Sequence, residues 1–185
     1  MKIALFLLAL ASAPSFAKCF ELKKNSPKIE WTSYKTPAKI GVSGTFKNIT
    51  FTKVSSASSI KKVIEGAAFT IDTSSVFSKN PGRDKKISNF FFSTMTGGHK
   101  IEGTVSKVTK KFITVDFTFN GVTKSVPLKY EIEDKELEAE GHIDLFDFSM
   151  NKQLTAINKA CFEKHEGKTW SDVEIEIEAK FKKCK

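Results

Sequence analysis

The chain has 185 residues, with 17 Phe against 2 Trp and 2 Tyr, and a formal charge of +9 from 30 Lys and Arg against 21 Asp and Glu. Its one long apolar run, Ile3 to Ala11, is well short of the roughly 20 residues that cross a bilayer as a helix. The basic residues are scattered among Glu and Asp rather than gathered in a block, which argues for a solvated basic surface and against a nucleic-acid or integral-membrane protein.

Met1-Lys2 gives a short positive start, Ile3 to Ala11 an apolar core, and Ser15-Phe16-Ala17 small residues at −3 and −1 of a cleavage point. This order predicts a secretory signal peptide over residues 1–17 and an exported chain from Lys18. Lys18 stands before Cys19 where lipidation would need a small residue, so no lipoprotein is expected. Losing Lys2 lowers the formal charge from +9 to +8 over the remaining residues 18–185, which suffice for one domain with a full core.

From there, alternation dominates. Ile29, Trp31 and Ser33 alternate with polar residues, as do Val42, Gly44 and Phe46, followed by Ile49 and Phe51. Ala67, Phe69 and Ile71 repeat the pattern; Ile113, Val115, Phe117 and Phe119 share one face opposite Thr114, Asp116 and Thr118. Val126, Leu128, Tyr130 and Ile132 follow, then Leu137, Ala139, Ile143 and Leu145, and finally Val173, Ile175, Ile177, Ala179 and Phe181. A period of two over so many segments predicts an all-β, antiparallel fold with one covered and one wet face. Asn120-Gly121 between two such runs marks a tight hairpin. From Met150, Leu154, Ile157 and Cys161 recur at helical spacing, and a weaker helix is expected near Asp84, so one or two short helices accompany the strands.

About eight short strands can remove their edges by closing into a barrel, whose interior then holds side chains or one small ligand. Periodicity leaves both fillings open; inward Gly44 and Gly141 favour a cavity. Among Cys19, Cys161 and Cys184, barrel closure favours the pair Cys19–Cys184, with Cys161–Cys184 as the competitor. His99, His142 and His165 are widely separated and offer no metal-ligand spacing. No nucleophile–base constellation is apparent, so neither catalytic nor metal residues are assigned.

The ordered segments GTFKNI (44–49), IDTSSV (71–76), Arg83-Asp84 with Lys85 and Ile87, Phe92, FNGVTKSVPL (119–128), EAEGHIDLFDFSM (138–150) and the terminal VEIEIEA resemble the YceI family of exported polyisoprenoid-binding proteins. The resemblance implies an extended lipocalin-like antiparallel β-barrel, in the periplasm or secreted, that sheathes the tail of a lipid. The ligand classes implied are polyprenyl lipids, isoprenoid quinones and fatty-acid derivatives, with homodimers as an assembly open to the family. No cofactor beyond such a lipid is implied. On these grounds the expected ligand-binding residues are Phe46, Phe69, Ile71, Arg83, Asp84, Phe92, Ile113, Val115, Phe117 and Phe119. The alternative is a non-catalytic exported interaction or stress protein with a self-filled barrel. The chain departs from the family at Lys86, where His is usual, at Phe90 and Phe91, at Thr94 to His99 in place of a Tyr-Pro turn, and at Phe146. Lys85 and Lys86 are expected to be solvated.

Overall fold

The computed structural model describes residues 18–53 and 56–184, with Lys53 described by its backbone; the expected signal segment, residues 1–17, lies outside the described residues. The strands are β1 (Phe20–Leu22), β2 (Lys28–Lys35), β3 (Ile40–Phe46), β4 (Ile49–Lys53), β5 (Ala68–Asp72), β6 (Val76–Phe77), β7 (Lys100–Val108), β8 (Phe112–Phe119), β9 (Val122–Glu133), β10 (Glu136–Asp144) and β11 (Thr169–Lys183). The α-helices are α1 (Ile60–Ile64), α2 (Pro81–Phe90), α3 (Asn151–Ala160) and α4 (Phe162–His165). Among the described residues no helix is long and apolar enough to cross a membrane.

All pairings are antiparallel, in the order β4-β5-β7-β8-β9-β10-β11-β2-β3-β6. The two ends of that path are chain continuations of one another. β3 runs into β4 across Lys47-Asn48, β5 runs into β6 across a 3-10 turn (Thr73–Ser75), and the two bent strands pair along their length at Ile49↔Ile71 and Phe46↔Val76. Lys47 N donates to Ser75 O (3.1 Å) and Asp72 N to Asn48 O (3.0 Å), which pins both bends together. Counting each bent strand once, and with β1 paired to β11 off this path, eight strands close into an extended, lipocalin-like barrel. β8 and β9 join through Asn120 (φ 54°) and Gly121 (φ 74°), the left-handed pair a tight hairpin requires.

Cys19 and Cys184 are disulfide-bonded, Cα atoms 5.3 Å apart, and Cys161 is free. The bridge works because β1 and β2 pair in succession along β11, bringing the start of the domain to its end: Phe20 lies opposite Lys183 and Glu174 opposite Thr32. β11 has 15 residues, roughly 50 Å at 3.3 Å each, so the disulfide sits at one end of the barrel and Thr169-Trp170 at the other.

The interior is filled in one half and open in the other. In the disulfide half, Ile113, Val115, Leu128, Leu137, Ala139, Ala179 and Phe181 pack with Val63 and Ile64 of α1 into a continuous buried core. The inward glycines create no space there. A Cβ on Gly103 would lie 2.2 Å from the Phe69 ring and one on Gly141 2.5 Å from Leu128, so each glycine lets a large neighbour lie flat against the sheet. Gly44 does the same for Trp31, at 2.4 Å. The expected link between inward glycine and empty volume is therefore corrected: these positions are occupied. The opposite half is capped by α2 packed on α3 and by the 3-10 turn Leu145–Phe148, with Phe148 stacked on Phe119 at 4.0 Å.

Candidate functional site

The capped half encloses a cavity of about 430 Å³, within the roughly 300–1,000 Å³ of ligand sites. Its walls are Ile29 and Trp31 of β2, Ile71 of β5, Phe117 and Phe119 of β8, Ile143 of β10, and Val173 and Ile175 of β11. Its mouth is formed by Arg83, Lys86 and Ile87 of α2, by Phe91 and Phe92, by Leu154, Ile157, Cys161, Lys164 and His165 of α3–α4, and by Lys35 and Trp170. The Trp31 indole N–H is buried with no acceptor among the described residues, so the wall keeps one unpaired donor.

α2 is placed at the mouth by its own sequence. Asn80 caps it by accepting from Arg83 N (3.0 Å), and Pro81 fits the first turn, where no intrahelical N–H is needed. Asn80-Pro81-Gly82 thus starts the helix expected near Asp84. Asp84 accepts from Ser78 N (2.8 Å) and Ser78 Oγ (2.6 Å), tying the helix to the exit of β6. Arg83 carries no ion pair among the described residues, Asp84 included, so its guanidinium is left at the mouth.

The mouth is basic on every side. Lys86 Nζ donates to Ala160 O at the end of α3 (2.9 Å), and Lys35 Nζ to Lys164 O (3.5 Å). His165 is held by a chain of hydrogen bonds: Asn158 Nδ2 donates to Gly167 O (3.0 Å), leaving Asn158 Oδ1 to accept from Thr169 Oγ1 (2.9 Å). Thr169 Oγ1 therefore accepts from His165 Nδ1–H (2.7 Å), and this network places a proton on Nδ1. Burial, then the charges of Lys35 and Lys86, push the His165 pKa below its ordinary value. The cavity's lining includes no Asp or Glu. The Glu174 carboxylate, followed by burial, pushes the pKa of the Tyr34 phenol up to about 12.

Of the expected ligand-binding residues, the structure brings Phe46, Ile71, Arg83, Phe92, Phe117 and Phe119 to the cavity. Four lie elsewhere. Ile113 and Val115 belong to the filled half, 2% and 1% exposed. Phe69 lies over Gly103 against Phe51 and Phe117, with ring centroids 5.8 and 6.0 Å away, and Asp84 is committed to Ser78. Lys86, expected in solvent, is half-buried at the mouth. Of the two extra phenylalanines, Phe91 lines the cavity while Phe90 is 43% exposed, and Phe146 is 51% exposed. Trp31, Lys35, Lys164, His165 and Trp170 line the cavity beyond the expected set, and so does Cys161, which shares the helical stripe of Leu154 and Ile157.

A family model described as the YceI-like domain matches residues 20–181. The chain belongs to the YceI-like family. Solved structures with this fold include a polyisoprenoid-binding domain from Saccharophagus degradans implicated in plant cell wall breakdown, at TM-score 0.61 and 13% identity over 89% of this chain and 98% of that one. Burkholderia cenocepacia BcnA matches at TM-score 0.57 and 16% identity, covering 84% of this chain and 96% of its own. A Campylobacter jejuni YceI protein matches at TM-score 0.52 and 18% identity, over 78% and 85% of the two chains. At such identities the likeness concerns the fold of the YceI-like barrel. A search of curated proteins gives no match.

Proposed function

We propose that this YceI-like protein is a non-catalytic lipid carrier of the periplasm, which buries the apolar tail of an isoprenoid, a quinone or a fatty-acid derivative in the open half of its barrel. The observation that carries the reading is the 430 Å³ apolar cavity beneath a mouth built by α2 and α3–α4. The polyisoprenoid-binding domain among its structural neighbours points the same way.

The volume limits the occupant. If a methylene takes about the ~30 Å³ share of a water in the liquid, the cavity takes on the order of 14 carbons. Burying a dozen methylenes at ~0.8 kcal/mol each gives roughly 10 kcal/mol gross, and association removes at least ~4 kcal/mol of it. At most about 6 kcal/mol remains, which corresponds to binding no tighter than tens of micromolar.

Native mass spectrometry of the purified exported protein, followed by solvent extraction and lipid identification, tests the reading. A bound amphiphile, or uptake of a quinone, polyprenol or fatty amide by the extracted protein, is expected; a protein that carries none and takes up none refutes it. Phe117→Asp puts a charge into the cavity wall, and uptake is expected to fall by at least tenfold in a variant that still folds.

A further inference from the structure

We infer that the mouth selects a negatively charged headgroup, a carboxylate or a phosphate, on a single tail of about the cavity's length. This rests on the lipid-carrier reading above and adds the charge of the ligand to it. Lys35, Arg83, Lys86, Lys164 and His165 all line the cavity, and they come from β2, α2 and α4. Among the lining side chains there is no carboxylate to neutralise them. Of the acids near the mouth, Asp84 accepts from Ser78, and Asp172 pairs with Lys39 at 2.6 Å.

The geometry gives each cation a different part. Lys86 and Lys35 also donate to the carbonyls of Ala160 and Lys164, so they are held in place before any ligand arrives. Arg83 has no ion-pair partner among the described residues, and its planar fork matches a carboxylate or phosphate edge. His165 donates through Nδ1 to Thr169, which leaves Nε2 able to take a proton. The charged groups facing it are Lys35 from β2 and Lys86 from α2, while Glu163, Lys164 and Glu166 are its neighbours along the chain. Both facing groups are cationic and disfavour the imidazolium; an anion in the mouth reverses that field. The bound state then holds the proton more tightly than the free state. The affinity for an anion therefore rises as pH falls through the bound-state pKa of His165.

The test is calorimetric titration of the delipidated exported protein with tetradecanoate, tetradecanamide and tetradecyl phosphate, each below its micellar concentration. Tetradecanoate or tetradecyl phosphate is expected to bind about tenfold or more tighter than the amide, and the tighter of the two identifies the anion. The advantage should shrink with added salt and fall to about twofold in the double variant K35Q/R83Q. An unchanged melting temperature of that variant, with amide affinity falling by less than the anions' does, reports that the fold and the tail site are intact. Between pH 8 and pH 6 the affinity for tetradecanoate should rise in the native protein and stay flat in His165→Gln. Equal affinities for the anions and the amide, or an anion advantage that neither added salt nor K35Q/R83Q reduces, overturn the charge selection while leaving the carrier reading in place. Failure of all three ligands to bind, in a protein that also takes up no quinone or polyprenol, overturns both.

Discussion

Gly103 shows how tightly single positions are set. Phe69 lies across it so closely that an added Cβ would meet the ring at 2.2 Å. The Phe69 ring is wedged between Phe51 and Phe117 and is 5% exposed, so it has nowhere to swing. Gly103→Ala is expected to destabilise the fold by about 1–3 kcal/mol in urea unfolding, without the relief that a flexible neighbour would offer. The same residues mark what sequence could tell. Alternation put Ile113, Val115, Phe117 and Phe119 on one inward face, and all four are buried. A period of two reports which face a residue takes, however, and carries nothing about its depth along the barrel axis. Ile113 and Val115 therefore fell in the core while Phe117 and Phe119 reached the cavity. Lys86 was hidden for a different reason: its place depends on the packing of α2 against α3, a contact between residues 74 apart in the chain.

At the scale of elements, the eight-strand barrel was legible because each strand carries its own pattern, and the hairpin at Asn120-Gly121 carries a local turn signal. The bends at Lys47-Asn48 and Thr73–Ser75 were not, since a bend keeps the alternation on either side while shifting the register between strands. α4, four residues long, has too few turns to show a period, so spacing alone gives His165 no face. On the outer face, β10 and β11 set Glu138 opposite Glu178 and Glu140 opposite Glu176, and β2 adds Glu30 opposite Glu176. Burial, followed by the charges of Glu178, Glu30, Glu138 and Glu140, raises the Glu176 pKa. A carboxyl whose folded pKa is raised destabilises the fold above that pKa, and the penalty disappears as pH falls below the unfolded value of about 4.3. Glu176→Gln should accordingly stabilise the protein by ~0.5 kcal/mol at pH 7 and leave it unchanged near pH 3. Denaturant melts at the two pH values measure both. The Cys19–Cys184 bridge closes a span of 165 residues, and replacing both cysteines with serine should cost on the order of 2–5 kcal/mol. Because the bridge is at the end away from the mouth, ligand affinity well below the melting temperature should be unchanged in that variant.

Over the whole molecule, division of labour between the two halves of the barrel accounts for both stability and function. The filled half, stapled by the disulfide and plugged by α1, supplies a core that needs no ligand. The capped half can then remain hollow without collapsing, because its walls are continuations of strands already fixed at the other end. Cys161 lies at the mouth of that hollow and is the one cysteine outside the disulfide. Its alkylation rate is the most direct test of the claim that a lipid tail enters the open half. With saturating tetradecanoate or a quinone bound, the rate at which iodoacetamide modifies Cys161 should fall at least tenfold, in step with one ligand per protein. A ligand that binds stoichiometrically while Cys161 reacts at its unliganded rate would place the tail elsewhere and contradict the account.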